Sequence, residues 1–292
     1  MKTTGIFTAL LYRIRFTRPE PFRLNIFSDV HKYSLSHDAA AWSEYLQECR
    51  TYRGMRQYYM GVGDYCDPGS TSERIVLKSE KLHESTVNTI IKAHTEQTDT
   101  FTEDIRFMAP TLIGLIGGNH DADLFGSVTQ TQKICSDLQC AFLGVSALVH
   151  LQIFYGAMRR SLKLFVHHGT TGGRTLGGGL NPVQAMQRTV PAARVYIMGH
   201  SHQKAIGFTE AVDDRIRKDG SDIELVREKV VYIRTGSFLE GFERDVPCYT
   251  TESLYPPTGS GAVALYVTPH RRNFYEAGQK RSSILLNVQA VG

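Results

Sequence analysis

Short apolar runs recur along the chain, each followed at once by a polar or glycine-containing break: 24–27, 58–62, 112–116, 164–166 and 195–198. Runs of that size, bounded by Gly, Asp or Asn, read as buried strands rather than helices. The first closes a strand-like stretch over 14–29. Between the runs lie segments of helical periodicity. Ser36, His37 and Asp38 supply cap residues for a helix through about residue 52, with Ala41, Trp42, Tyr45, Leu46 and Cys49 on one face. Residues 72–96 predict a longer helix, 123–138 another, and a short one follows Pro182. Residues 142–153 with 163–167 read as a hairpin, and 194–198, 229–235, 262–268 and 283–289 as strands. The glycine-rich stretch 172–181 is the one conspicuous loop. Repeated strand, loop and helix predict a layered α/β domain, a single domain over 1–292. Its motif-bearing core covers about 22–240, with C-terminal strands at 260–290 packed on it.

Composition narrows the class. The chain has 292 residues, 41% hydrophobic and 21% charged, which excludes disordered, collagenous and coiled-coil proteins. The longest uncharged stretch, 138–158, contains Gln139, His150 and Gln152, and its apolar residues fall in strand-sized groups, so it reads as buried sheet rather than a membrane helix. The N-terminal apolar stretch is short, interrupted by threonines and followed by Arg13 and Arg15, which argues against a secretory signal. Five cysteines with no C-x-x-C pair point to a reducing compartment, and a cytoplasmic location is expected. The net charge of +4 is compatible with an anionic partner without announcing one. Eleven histidines are the unusual feature, because six of them fall in four short clusters.

Those clusters sit where ligands gather in α/β folds, in the loops beyond strand carboxyl ends. Asp29-Val30-His31 follows the first run, Gly63-Asp64 the second and Gly118-Asn119-His120-Asp121 the third. His167-His168-Gly169 follows the fourth and Gly199-His200-Ser201-His202 the fifth. Residues i and i+2 leaving a strand project to one side, so a carboxylate and an imidazole can converge on one ion. A lone Gly-Asp is a common turn and a lone His-x-His is usually inconsequential; five such clusters, each at a strand end, are not accounted for that way.

The ordered set D-x-H, G-D, G-N-H-D, H and G-H-x-H resembles the calcineurin-like metallophosphoesterases, over residues 24 to about 202. Gly236-Ser237 looks like the family's usual follow-on. The resemblance implies a four-layer αββα sandwich of two mixed β-sheets, with two divalent metals at the strands' carboxyl ends. Asp29, His31, Asp64 and His202 resemble the first metal's ligands. Asp64 would bridge, and Asn119, His167 and His200 would complete the second site. In the fourth cluster His167 leaves the strand first and fits the pattern better. His168 is the alternate, lying behind the ligands or facing substrate. His120 resembles the substrate-facing histidine, a general acid or transition-state stabiliser. Two cations about 3.5–4 Å apart need a shared anionic ligand, and together they polarise phosphoryl oxygens and acidify a bridging water for in-line attack. Neutral imidazoles with hard oxygens suit manganese, iron, zinc or cobalt rather than calcium, and ligand type alone does not choose among them; two manganese ions are the expectation.

The implied activity is therefore dinuclear metal-dependent hydrolysis of a phosphomonoester or phosphodiester, including phosphodiesterase or nuclease action. The alternative is a metal-binding scaffold of the same fold with no turnover. The expected partner is a phosphate ester, nucleotide or nucleic acid, with no membrane. Gly63-Asp64-Tyr65-Cys66-Asp67-Pro68-Gly69 is similar to the corresponding motif of Ser/Thr protein phosphatases, but Pro68 and Gly117 stand where those enzymes carry phosphate-clamping arginines. Neither can replace a bidentate clamp, which disfavours that subfamily. Arg174 is the only charge in the glycine-rich loop, placed either to clamp a phosphate or on a mobile surface. Arg271, Arg272, Lys280 and Arg281 could track a nucleic-acid backbone or form a solvated face.

Overall fold

A computed structural model of the chain describes residues 2–3, 7–67, 83–121, 128–170, 175–216, 222–241, 259–276 and 279–292. In chain order these form β1 (Lys2–Thr3), β2 (Thr8–Phe16), β3 (Phe22–Phe27), α1 (Ala39–Thr51), β4 (Arg56–Gly61) and α2 (Glu84–Ile105). A 3₁₀ turn (Arg106–Thr111) leads to β5 (Leu112–Leu115), α3 (Gln130–Asp137), β6 (Ala141–Phe142), β7 (Ser146–Tyr155) and β8 (Met158–His167). The chain continues through α4 (Leu176–Thr189), β9 (Val195–Met198), β10 (Lys204–Ile216), β11 (Ile223–Thr235), β12 (Val263–Glu276) and β13 (Gln279–Val291).

The strands make two mixed sheets. One has the order β1-β2-β7-β8-β9-β11-β10, and the other β13-β12-β3-β4-β5-β6. Within the second sheet β3, β4, β5 and β6 are mutually parallel. Within the first, β8, β9 and β11 are mutually parallel.

Every residue of β3 is buried, because this strand has a core on both faces. Phe22, Leu24 and Ile26 face the other sheet and join Val149, Leu151 and Ile153 of β7 with Leu164 and Val166 of β8. Phe27 faces the opposite way, into a cluster with Trp42 and Tyr45 of α1 and Phe101 of α2. On the far face of the first sheet, Val183 and Met186 of α4 pack on Phe165, Tyr196 and Tyr232. The layers thus run helices, sheet, sheet, helix. Each fully buried large apolar side chain contributes about 1.5–3 kcal/mol to holding them together.

Local chemistry explains the helix starts. The Asp38 carboxylate accepts the Ala41 amide at 2.8 Å, as the sequence predicts, and α1 buries Trp42, Tyr45, Leu46 and Cys49. A reciprocal capping box between Thr129 and Gln132 opens α3. The predicted helix at 72–96 lies in part outside the described residues, and its described part extends to Ile105. The strand-like stretch from 14 divides into β2 and β3, and β2 pairs in parallel with β7. Strand β10 was not foreseen at all.

The glycine-rich stretch is a correction. From Leu176 onward it is not a loop but the first turns of α4, with Thr175 as N-cap accepting the Gly178 amide at 3.1 Å. Three glycines and a proline are the poorest helix formers. Here tertiary contacts override propensity: α4 buries its apolar face on the sheet, and Arg234 of β11 holds its first turn through the Gly179 carbonyl at 2.8 Å. Among the described residues no helix is long and apolar enough to cross a membrane.

Candidate metal centre

The loops after β3, β4, β5, β8, β9 and β11 meet at one end of the two sheets. Backbone hydrogen bonds lace them together: Asp29 N–H to Gly63 O at 2.9 Å, His31 N–H to Asp64 O at 3.0 Å, Gly199 N–H to His168 O at 2.7 Å and Phe238 N–H to Asp29 O at 3.0 Å. Two glycines are required by the crowding. A Cβ on Gly118 would lie 1.9 Å from Asp64 Oδ1, and one on Gly63, whose φ is +108°, would lie 2.3 Å from His168 Nδ1.

Seven described non-glycine residues have left-handed backbone, and five of them are in this centre: Asp29, His31, Asp64, His200 and His202, with φ between 45° and 69°. Each such conformation costs about 1–3 kcal/mol and persists only where the surroundings over-determine it. Turning the backbone this way aims consecutive loop side chains inward.

Two ligand groups result, with a third beside them. In the first, Asp29, His31 and His202 bring donor atoms within 4.8 Å of one another; in the second, Asp64, His168 and His200 do the same; the third, His31, Asp67 and His120, shares His31 with the first. His31 Nε2 is 3.9 Å from Asp29 Oδ1 and 3.8 Å from Asp64 Oδ2, and His202 Nε2 is 3.6 Å from Asp29 Oδ1. Asn119 Oδ1 lies 2.8 Å from both His168 Nε2 and His200 Nδ1. Asp64 Oδ2 is also 3.2 Å from His168 Nε2, which puts its carboxylate between the two groups.

His168, not His167, is the histidine of the fourth cluster that enters the centre. Its Nδ1 is anchored 2.8 Å from the Val62 carbonyl, and its Nε2 faces Asn119 and Asp64. His167 is the last residue of β8, where it pairs with Ser146 and Met198. Side chains alternate along the strand: Phe165 faces α4 and Val166 the core between the sheets, so His167 points to the α4 side. It belongs to none of the metal-competent groups among the described residues.

Asp67, which the sequence reading passed over, is part of the site. Its Oδ1 is 3.1 Å from His120 Nδ1 and its Oδ2 is 3.6 Å from His31 Nδ1. The signal was a second carboxylate three residues after Asp64. His120 also donates its backbone N–H to Asp64 Oδ1 at 2.9 Å. Cys66 takes no part: it is buried, and burial pushes its thiol up to about 12. Arg174 and Pro68 lie outside the described residues, and Gly117 places no cation at the centre.

The electrostatics are those of a site built for positive charge. Burial pushes the Asp29 carboxyl up, and the neighbouring Asp64 adds to this. At Asp64 burial also acts upward, but the imidazoles of His168, His31 and His120 outweigh it and hold the carboxyl far below the usual range. Burial acts downward on His168, yet the charge of Asp64 carries it up to about 9. Burial, reinforced by His31, takes His202 down to about 3. His31 Nε2 is buried and has no hydrogen-bond partner, although it points between two carboxylates. A buried polar atom without a partner is costly, and a cation there would satisfy it. Two carboxylates, an amide oxygen and four imidazoles form a donor set that can bind divalent transition metals. Comparison with protein-family models and with curated protein sequences yields no match.

Proposed function

We propose that this chain is a phosphoesterase of the calcineurin-like metallophosphoesterase type, using two divalent metal ions, manganese foremost, to hydrolyse a phosphate monoester or diester. The observation that carries the reading is the convergence of Asp29, His31, Asp64, Asn119, His168, His200 and His202 on two adjoining ligand groups, with Asp64 between them. Asp29, His31 and His202 would hold one ion, and His168, His200 and Asn119 the other. Bound metal would supply Lewis-acid polarisation of the phosphoryl group and an acidified water.

The chain's own residues do the rest. Asp67 accepts from Nδ1 of His120, fixing the ring and leaving Nε2 for the leaving-group oxygen. The His120 side chain is 22% exposed, so substrate can reach it, whereas Asp29 and Asp64 are sealed beneath. The amides of His200 and His120 bind the carboxylates of Asp29 and Asp64, which orients both before any ion arrives.

The test is hydrolysis of bis(p-nitrophenyl) phosphate and p-nitrophenyl phosphate by purified protein with Mn²⁺, compared with Asp64→Ala and His200→Ala. Manganese-dependent turnover that both substitutions abolish supports the reading. Turnover that survives them places the chemistry elsewhere, and stoichiometric metal binding with no turnover favours the scaffold alternative.

A further inference from the structure

Helix α3 ends in a turn that brings two cysteines together. Gln139, one residue past the cap, has left-handed backbone with a φ of 55°. Its amide donates to Ser136 O at 3.3 Å, and the Cys140 amide donates to Cys135 O at 3.0 Å. This pair of bonds is the Schellman closure, in which the third residue from the helix end meets the second residue beyond the cap. An apolar contact between those two side chains commonly accompanies it. Here the two positions are Cys135 and Cys140.

The backbone bond itself limits their separation. From Cα of Cys135 to its own carbonyl oxygen is about 2.4 Å, and from N to Cα of Cys140 about 1.5 Å. With 3.0 Å between oxygen and nitrogen, the two Cα atoms are at most about 6.9 Å apart, and closer because the path bends. Disulfides form between Cα atoms about 4.4–6.8 Å apart. The side chains use this proximity: a hydrogen bond with the Cys140 thiol, together with burial, raises the Cys135 thiol above its ordinary range. Cys135 Sγ also lies 3.6 Å from Ala141 O, so it faces the segment that Cys140 opens.

The two sulfurs differ in access. Cys135 is buried and Cys140 half-buried. Cys49 on α1 and Cys66 in the loop after β4 are buried, and burial pushes both thiols up to about 12. The attacking species in thiol chemistry is an accessible thiolate, so among the described cysteines Cys140 is the one an oxidant meets first. We propose that Cys135 and Cys140 are a redox modification site, closing to a reversible disulfide under glutathione disulfide. The Cys140 sulfur attacks one glutathione sulfur, forms a mixed disulfide and releases the other glutathione. The Cys135 sulfur then attacks that of Cys140 and displaces the second glutathione. Both cysteine protons end on the two glutathiones; the dithiol loses two electrons and one glutathione disulfide gains them. The bond would tie the end of α3 to the start of β6. The first turn of α3 holds Asp121 through the Thr131 amide at 2.9 Å, and β6 pairs with β5, so the tie lies behind the loop of Asn119 and His120.

The full chain, incubated with glutathione disulfide, is labelled with N-ethylmaleimide in denaturant and digested with trypsin. Cleavage after Lys133 and Arg159 releases one peptide that carries both cysteines. That peptide should be two hydrogens lighter and take up no label, and dithiothreitol before labelling should restore two labelled thiols. Cys49 and Cys66 should be labelled throughout. Cys135→Ser should leave Cys140 carrying one glutathione, and Cys140→Ser should leave Cys135 unmodified. Two free thiols in the wild-type peptide after oxidation overturn the proposal, as does a mixed disulfide on Cys140 that never closes. Equal oxidation of Cys49 or Cys66 overturns it too, because the turn would then confer no selectivity. The readout uses neither metal nor substrate, so its failure leaves the phosphoesterase reading standing, and the reverse also holds.

Discussion

Asp67 Oδ1 lies 3.1 Å from His120 Nδ1, so a partly exposed imidazole beside the Asp29 and Asp64 ligand groups is held by a carboxylate. If His120 serves the leaving group, His120→Asn at full metal content should lower kcat by about 10²–10⁴-fold. Asp67→Asn should cost about 10–100-fold by releasing the ring. Steady-state kinetics paired with metal analysis checks both. An unchanged kcat in His120→Asn would remove it from the chemistry.

His167 and His168 are adjacent in sequence and opposite in placement. His168→Ala should reduce bound manganese from two ions toward one, whereas His167→Ala should keep both. Inductively coupled plasma mass spectrometry of the two variants decides it, and equal loss in both would contradict the side-chain placement.

Metal should stabilise the fold if it binds here, because the donor groups that could hold it are assembled only by the folded chain. At a free ion concentration 100 times Kd, the expected gain is about 2.7 kcal/mol per site. Differential scanning calorimetry with Mn²⁺ and with EDTA measures this. Superimposable melting curves would mean that the donor set does not hold the ion.

Phe27 is fully buried, with ring centroids 5.9–6.2 Å from Trp42, Tyr45 and Tyr65, and it ends the strand that delivers Asp29. Phe27→Ala should cost about 3–5 kcal/mol of unfolding free energy in urea titration. A cost below 1 kcal/mol would mean that α1 does not depend on this contact.

His150 on β7 is held below its ordinary pKa, by burial first and then by Lys163 and Arg159. The unfolded chain therefore binds the proton more readily. This contribution to stability is fully present above about pH 6.5 and is lost as pH falls through the lower, folded-state value. His150→Gln should flatten the decline in Tm between pH 7 and pH 5; an unaltered decline would assign it to other groups.

Much of the centre was legible in the sequence because its ligands are delivered locally. Each apolar run ends in its own Asp, Asn or His, so the strand and its donor are read together, and the glycines beside them mark tight approaches. The same locality made α1 readable from Asp38 and its apolar face. Asp67 was hidden because its partner, His120, is 53 residues away in sequence and the two meet only when the loops after β4 and β5 close on each other.

Local sequence thus determined that apolar strands alternate with helices and that acidic and imidazole side chains cap them, since both depend on residue type and short-range periodicity. Tertiary structure alone decided three things. A single step along β8 sends His167 toward α4 and leaves His168 to enter the centre, because successive side chains leave a strand on opposite faces. The glycine-rich stretch became a helix because packing on the sheet outweighs its poor propensity. Asp67 meets His120 because the loops after β4 and β5 close on each other, a placement that no local pattern encodes.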